Sequence, residues 1–592
     1  AISFSDEAKG STLRIEQLNL RTGHLANAAT GDLELSANVV ENKPAVKAGV
    51  ALKGKYRYDL AQQQYALEGL SLRLKGDALD FKDLDAELSA KNLVAGQEIR
   101  IEGLALGVKS QLKGEALDLR LDAPQLAIAG DKAGGASVTL NLKLAGAQRQ
   151  LESKLELSGV EGSKTALRIA KLAAQWDLKQ AALALRGNLS SPLTANLANL
   201  AIDLPKLAGE LEVEHPAMPM KHLKLPLNAS LHADMEKSSA AGDLATRFDE
   251  SAIQLKWQVG RFAPLAVGFD LAVDKLNVDK YFPPAPPTAA PAAGSGGGGG
   301  TVVAEAPLNL DFLKGLDLKG EARIGFLQAH NIKLGNLKAD LRIADGRLDV
   351  SPLSANFYEG QINGALSVNA NGNRIALRQA LSNVSVNPLL RDVAQKDMLE
   401  GRGNINLDVT TAGASVGAMK QGLAGTASFN LKDGAVKGIN LAKSLRELKA
   451  KLSGKQDAAV EASKTEKTDF SELAASFRIA AGVAHNDDLS LKSPFVRVGG
   501  AGDIDIGKSR IDYLAKASVV GSAKGQGDLD ALKGLTIPVR LSGPFDALTY
   551  KFEFGAIATD LLKQEAKKQL EQQLGKPLDK KGLGDALKGL LK

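Results

Sequence analysis

Strict alternation of apolar and polar residues is the feature that most constrains this chain. In Ser137-Val138-Thr139-Leu140-Asn141-Leu142-Lys143-Leu144 every second residue is aliphatic and the others are polar. The same pattern recurs at Leu33/Leu35/Ala37/Val39, Leu70/Leu72/Leu74, Leu117/Leu119/Leu121 and Leu341/Ile343. A period of two places all the aliphatics on one face of a strand and the polar groups on the other. Such runs return every ~10–12 residues, separated by turn formers such as Lys75-Gly76-Asp77 and Asp345-Gly346. That spacing predicts a long antiparallel meander.

A sheet with one apolar face has to cover it. A second sheet can pack on it, helices can cover it, or the sheet can curl into an open trough whose lining meets a ligand. Helical periodicity is too scarce for the second option. It is confined to Leu441, Leu445, Leu448 and Leu452, and to a tail with Ile557, Leu561, Leu562, Leu570 and Leu574 on one stripe. Hydrophobic residues make up 44% of the chain but aromatics only 4%. A uniform aliphatic lining without large rings favours the trough over a packed sandwich. The expected fold is therefore mostly β, an elongated, curled antiparallel sheet forming an open hydrophobic groove, with a few short amphipathic helices near the C-terminus. Leu70, Leu72, Leu74, Leu117, Leu119, Leu121, Val138, Leu140, Leu142 and Leu144 represent the expected lining.

Pro283-Pro284-Ala285-Pro286-Pro287, running on to Gly296–Gly300, reads as a linker, stiff and then flexible. It separates a repetitive β region at 1–280 from a second at 306–554, with the linker itself at 281–305. Amphipathic helices are expected over 555–592. Their Ile557, Leu561, Leu562, Leu570 and Leu574 are candidate contacts for a membrane or a partner.

At 592 residues the chain is too long for one compact core. Its 74 basic and 68 acidic residues leave a net charge of +6 with no basic stripe, which argues against nucleic acid. Cysteine is absent, so neither a disulfide framework nor thiolate chemistry is available. No run of about 18 apolar residues is present to form a spanning helix. The opening residues lack the charged and apolar regions of a signal peptide, so any signal or anchor is expected to lie outside this sequence.

Catalytic and metal motifs are weak. Gly413-Ala414-Ser415-Val416-Gly417 fits the nucleophile-elbow pattern, but the one later histidine, His485, sits beside Asp487 and Asp488 in a stretch that reads as a turn. His215, Met218, Met220, His222 and His232 cluster in a proline-punctuated stretch, where soft ligands can hold copper and a broken edge strand is the plainer reading. Asp503 and Asp505 share one face of a strand, expected to be the solvated one. The expectation is a protein with no enzymatic activity, no cofactor and no metal.

In the second half, Phe357-Tyr358-Glu359-Gly360, Asn387-Pro388-Leu389-Leu390-Arg391-Asp392 and Leu399-Glu400-Gly401-Arg402-Gly403 stand in order. Asp433-Gly434-Ala435-Val436-Lys437-Gly438-Ile439 and Pro538-Val539-Arg540-Leu541-Ser542-Gly543-Pro544-Phe545 follow them. Together these resemble the C-terminal region of the AsmA family of Gram-negative envelope proteins. The resemblance covers 306–554, while 1–280 shares only the strand pattern. It implies a periplasmic β body anchored to the inner membrane by an N-terminal helix not contained in this sequence. It also implies kinship with bridge-like lipid-transfer proteins and offers no catalytic residues. The expected function is a bridge conducting phospholipid between inner and outer membranes; the alternative is a non-transporting scaffold that assists outer-membrane protein assembly. Expected partners are phospholipid and the inner membrane, with the outer membrane and envelope-assembly proteins as further candidates and no nucleic acid.

The physics suits that role. About 35–40 strands at ~4.8 Å each would extend ~170–190 Å. A phospholipid with ~30 acyl methylenes exposes ~24 kcal/mol of apolar surface on leaving a bilayer. A barrier of that size allows unaided escape about once a day. An aliphatic trough removes most of it and leaves the headgroup in water.

Overall fold

The computed structural model describes residues 1–282, apart from 7–9 and 217, and residues 307–552, apart from 439–466, 495, 521–535 and 546. The chain divides into two units, Ala1–Phe282 and Pro283–Lys592. The tail bearing Ile557, Leu561, Leu562, Leu570 and Leu574, the helical pattern at Leu441–Leu452 and the linker from 283 onward lie outside the described residues.

Each unit is an antiparallel meander in which every described strand pairs with the next. The first runs from β1 (Ile2–Asp6) to β17 (Leu265–Asn277), and the second from β18 (Asp317–Ala329) to β30 (Thr549–Phe552). At ~4.8 Å per strand the first sheet extends ~80 Å across its strands and the second ~60 Å. The described residues thus hold 30 strands, fewer than the 35–40 expected. The strands are longer than the alternation suggested. β5 (Gln64–Ala78), β6 (Phe81–Ala95), β7 (Glu98–Leu112) and β8 (Glu115–Ala129) each have 15 residues and are joined by two-residue turns.

One strand reads as two runs because its alternation changes phase midway. In β7, Ile99 and Ile101 give way to Leu104, Leu106 and Val108 across Gly103, whose φ is +61°. Gly69 in β5 (φ +60°) and Gly159 in β10 (Arg149–Ser163; φ +63°) occupy equivalent places. A residue at positive φ re-aims the strand, so the aliphatics before and after it stay on one face. The pairing skips at each of these points: Ser158↔Lys171 is followed by Val160↔Ile169, and Glu102↔Gln125 by Leu104↔Ala123. Aligned strand after strand, the interruptions form a crease along which the sheet curls. Small residues fill the fold line, where room is short. Ala90, Ala123 and Ser191 beside it are almost fully buried.

The first unit has no buried cluster of large side chains among the described residues; six of its nine buried hydrophobics are alanines. The second unit closes further. Leu431, Phe470, Val496, Val519 and Ile537 form a true core, and Phe357, Leu381 and Val384 form a smaller one beside it. Two helices that the sequence reading missed sit on this unit. α1 (Val386–Ala394) follows β22 (Arg374–Ser385), and α2 (Val416–Gln421) precedes β24 (Ala424–Lys437). α1 buries Val386 in the larger core and turns Leu389 to the smaller and Leu390 to the larger.

Candidate functional site: an aliphatic trough

Register places the aliphatics of the first unit in a continuous row. Leu20 of β2 (Ser11–Thr22) faces Leu35, which faces Leu52, then Leu72, Leu88 and Leu106. The row goes on through Leu121, Leu140, Leu155, Ala174 and Leu189. Gly209, Leu227, Thr246, Ile253 and Val273 carry it to β17. One hydroxyl is its only polar side chain.

The expected lining residues fall on this row and its neighbours. Leu119 pairs with Leu142, Leu117 with Leu144, and Val138 with Leu157. Leu70 and Leu74 face Ala90 and Ala86. All are half-buried except Leu72, which reaches 36% exposure. A packed sandwich would bury them fully; a flat sheet would expose them. Half-burial along a curled sheet is the signature of an open trough.

The back of the sheet carries a second row of opposite character. Lys75 faces Asp85, then follow Lys109, Asp118, Lys143 and Glu152. After the like-charged step to Asp177, the row resumes with Arg186, Glu212 and Lys224. Ion pairs follow: Lys75–Asp85 at 3.2 Å, Lys143–Glu152 at 3.1 Å, Arg186–Asp177 at 3.1 Å, and Lys224–Glu212. Arg73 grips Asp85 with two bonds of 2.8 and 2.6 Å, which with Lys75 lowers that carboxyl to about 2. Exposed pairs like these add little stability each. A one-residue slip would set these charges opposite aliphatic side chains and turn the leucines to water, so the two rows jointly fix the register.

In the second unit four of the five quoted motifs converge on a clasp around α1. Asp397 accepts from Asn387 at 2.7 Å, Arg391 at 2.7 Å and Lys437 at 2.8 Å. Lys437 also pairs with Glu400 at 2.7 Å, and Arg402 pairs with Glu359. Tyr358 donates to Asp392 at 2.7 Å, and Lys333 reaches the same carboxylate at 3.0 Å. The clasp pins the helix whose leucines bridge the two cores. Hydrogen bonds from Lys437, Asn387 and Arg391 hold the Asp397 carboxyl well below the usual carboxylate range. A depressed carboxylate stabilises the fold above about pH 4 and loses that contribution as pH falls through its folded value. The melting temperature should therefore fall more steeply below pH 4 in the parent protein than in Asp397→Asn; equal slopes in a thermal-melt series would count against the clasp.

Between β24 and β29 (Thr536–Pro544) the concave face holds a cavity of about 360 Å³. Its walls include Phe429, Val436, Phe477, Leu489, Val498, Ile511, Ala515 and Leu541, and Thr468 and Tyr513 bring the hydroxyls. The Tyr513 ring lies over Gly500, where a Cβ would come within 2.7 Å of it. Its hydroxyl donates to the fully buried Asn486, whose amide donates to Ser476 O at 2.8 Å and Asp488 at 2.6 Å. Burial pushes the Tyr513 hydroxyl up to about 12.

The other motif residues have structural roles. Ser415 caps α2, its Oγ accepting from Ala418 N at 3.2 Å. His222 and His232 stand ten residues apart on one strand, ~33 Å along it, and pair separately with Glu214 and Asp203. They cannot share one ion. His485 lies in β26 (Val483–Lys492), not in a turn, and meets Asp503 at 2.7 Å; Asp505 accepts from Lys508 N. No group of three or more potential metal ligands is present among the described residues.

A curled antiparallel meander with an aliphatic row inside and paired charges outside defines a β-groove protein. The chain belongs to the AsmA family, whose model matches residues 2–489. The match takes in the first unit, where only the strand pattern was expected to agree, and stops short of Pro538–Phe545. Protein AsmA of Escherichia coli (strain K12) is 23% identical over 274 residues, which is 45% of this chain and 44% of that relative. The alignment thus spans less than half of either protein. Membership places the chain among proteins with envelope-related functions.

Proposed function

We propose that the trough conducts phospholipid, acyl chains against the aliphatic row and headgroup in water, as a periplasmic bridge between inner and outer membranes. In this reading an N-terminal helix beyond this sequence anchors the protein to the inner membrane. The observation that carries the proposal is the row itself: sixteen consecutive strands, β2 to β17, offer an acyl chain an apolar track, half-buried over most of its length and interrupted by one threonine. A scaffold that transports nothing has no use for so continuous an uncovered face.

The chain supplies its own reporters. Both of its tryptophans, Trp176 and Trp257, lie in the first unit and are half-buried. Each ring covers a cross-strand glycine, Gly187 and Gly242 respectively, and so forms part of the trough surface. Phospholipid brominated on its acyl chains quenches indole emission on contact. Loading the protein with brominated phosphatidylcholine should quench most of its tryptophan emission. Protein that carries the lipid with undimmed emission would place the lipid elsewhere and defeat the proposal.

A further inference from the structure

We propose that the second unit holds one acyl chain in a discrete site beneath Tyr513, a proposal that rests on the trough reading and deepens it. In the first unit no position along the row differs enough from its neighbours to arrest a ligand. The cavity between β24 and β29 is different. It is walled on several sides, and Leu491, Val498, Ala517 and Val539 of the larger core form part of its lining.

Its size fits a single chain. An engineered apolar cavity of about 150 Å³ holds one benzene, so about 360 Å³ has room for roughly fourteen carbons. The lining spans six strands, ~24 Å. One acyl chain reaches ~15 Å, half of a bilayer's hydrocarbon thickness. Two chains would not fit. Water is a poor occupant, because it needs two to four polar partners. Tyr513 is committed to Asn486, whose amide protons are already bonded to Ser476 and Asp488. That network holds the ring in one orientation over Gly500, so the wall stands ready before any ligand arrives. Phe429, Phe477, Leu489, Ile511 and Ala515 make the rest of the wall apolar, a surface suited to methylenes. The tail is therefore the recognised group, whether it belongs to a free fatty acid or to a glycerolipid.

The test uses the full chain, delipidated and titrated with cis-parinarate, a fatty acid that brightens in dry surroundings. One saturable site per chain is expected. Ala515→Phe projects a ring into the cavity and should weaken binding at least tenfold. Ala515→Leu intrudes less and should act in the same direction if the larger ring disturbs the strand. Brominated-lipid quenching of Trp176 and Trp257 should be unchanged in both variants. Competition by palmitate alone would identify free fatty acid as the source, by lysophosphatidylcholine alone a lipid tail, and by both a site indifferent to the head. Many equivalent sites, binding unaffected at Ala515, or no cis-parinarate binding at all would overturn the proposal. In any of these cases intact tryptophan quenching would leave the trough reading standing. Lost quenching with a surviving single site would do the reverse.

Discussion

Ile537→Ala should destabilise the second unit by about 2–5 kcal/mol, the range for truncating a fully buried aliphatic side chain. Ile537 has no exposed surface and lies in the larger core with Val496 and Val519. For a unit of this size the loss corresponds to a drop of roughly 5–15 °C in its melting temperature. Leu142→Ala in the first unit removes a similar amount of side chain, but from a half-buried site whose outer surface already meets solvent. Its cost should stay near 1 kcal/mol. Calorimetry that resolves the transitions of the two units measures both changes. Equal, large losses at both positions would mean that the first unit is packed like a sandwich and that the open trough is wrong.

The second large effect concerns passage. Leu121 and Leu140 face each other in the middle of the row, and Leu121→Arg with Leu140→Arg sets two guanidinium groups in the track. From half-buried positions both can reach water, so the fold should survive with a small shift in melting temperature. An acyl chain sliding past would have to strip water from them. Placing one arginine in hydrocarbon costs about 2.5–3.5 kcal/mol on insertion scales. Even one such step slows passage by roughly 100-fold. Transfer of fluorescent phospholipid between vesicles should therefore fall by at least tenfold. Unchanged transfer by a folded variant would rule out the row as the route.

The sequence revealed much of this where the chemistry is local. Alternation at Val138–Leu144 is a property of the strand itself, so the apolar face and the residues on it were readable. The scarcity of aromatics signalled a face with few rings to close it. Strand lengths were underestimated because Gly69, Gly103 and Gly159 break the alternation inside single strands, and a change of phase resembles a turn. The charged row was invisible because Lys109, Asp118 and Lys143 become neighbours only once the register is known. α1 was missed because nine residues carry too few turns for a clear stripe, although Pro388 in its first turn was a usable sign. The cavity under Tyr513 depends on Gly500 standing opposite a ring thirteen residues away, and no local pattern announces that.

Pairing of every described strand of the first unit with its sequence neighbours alone makes that unit quasi-one-dimensional. Each hairpin sees the same cross-section and contributes its own share of stability plus one interface, as in a solenoid. Length is then a free parameter. Inserting one hairpin of the kind formed by β7 and β8, 98–129, adds ~10 Å without altering the profile on either side. If the trough is a bridge, as proposed, such a body can be matched to a fixed gap by counting strands, and a change in the distance requires no redesign of the surface that meets the cargo.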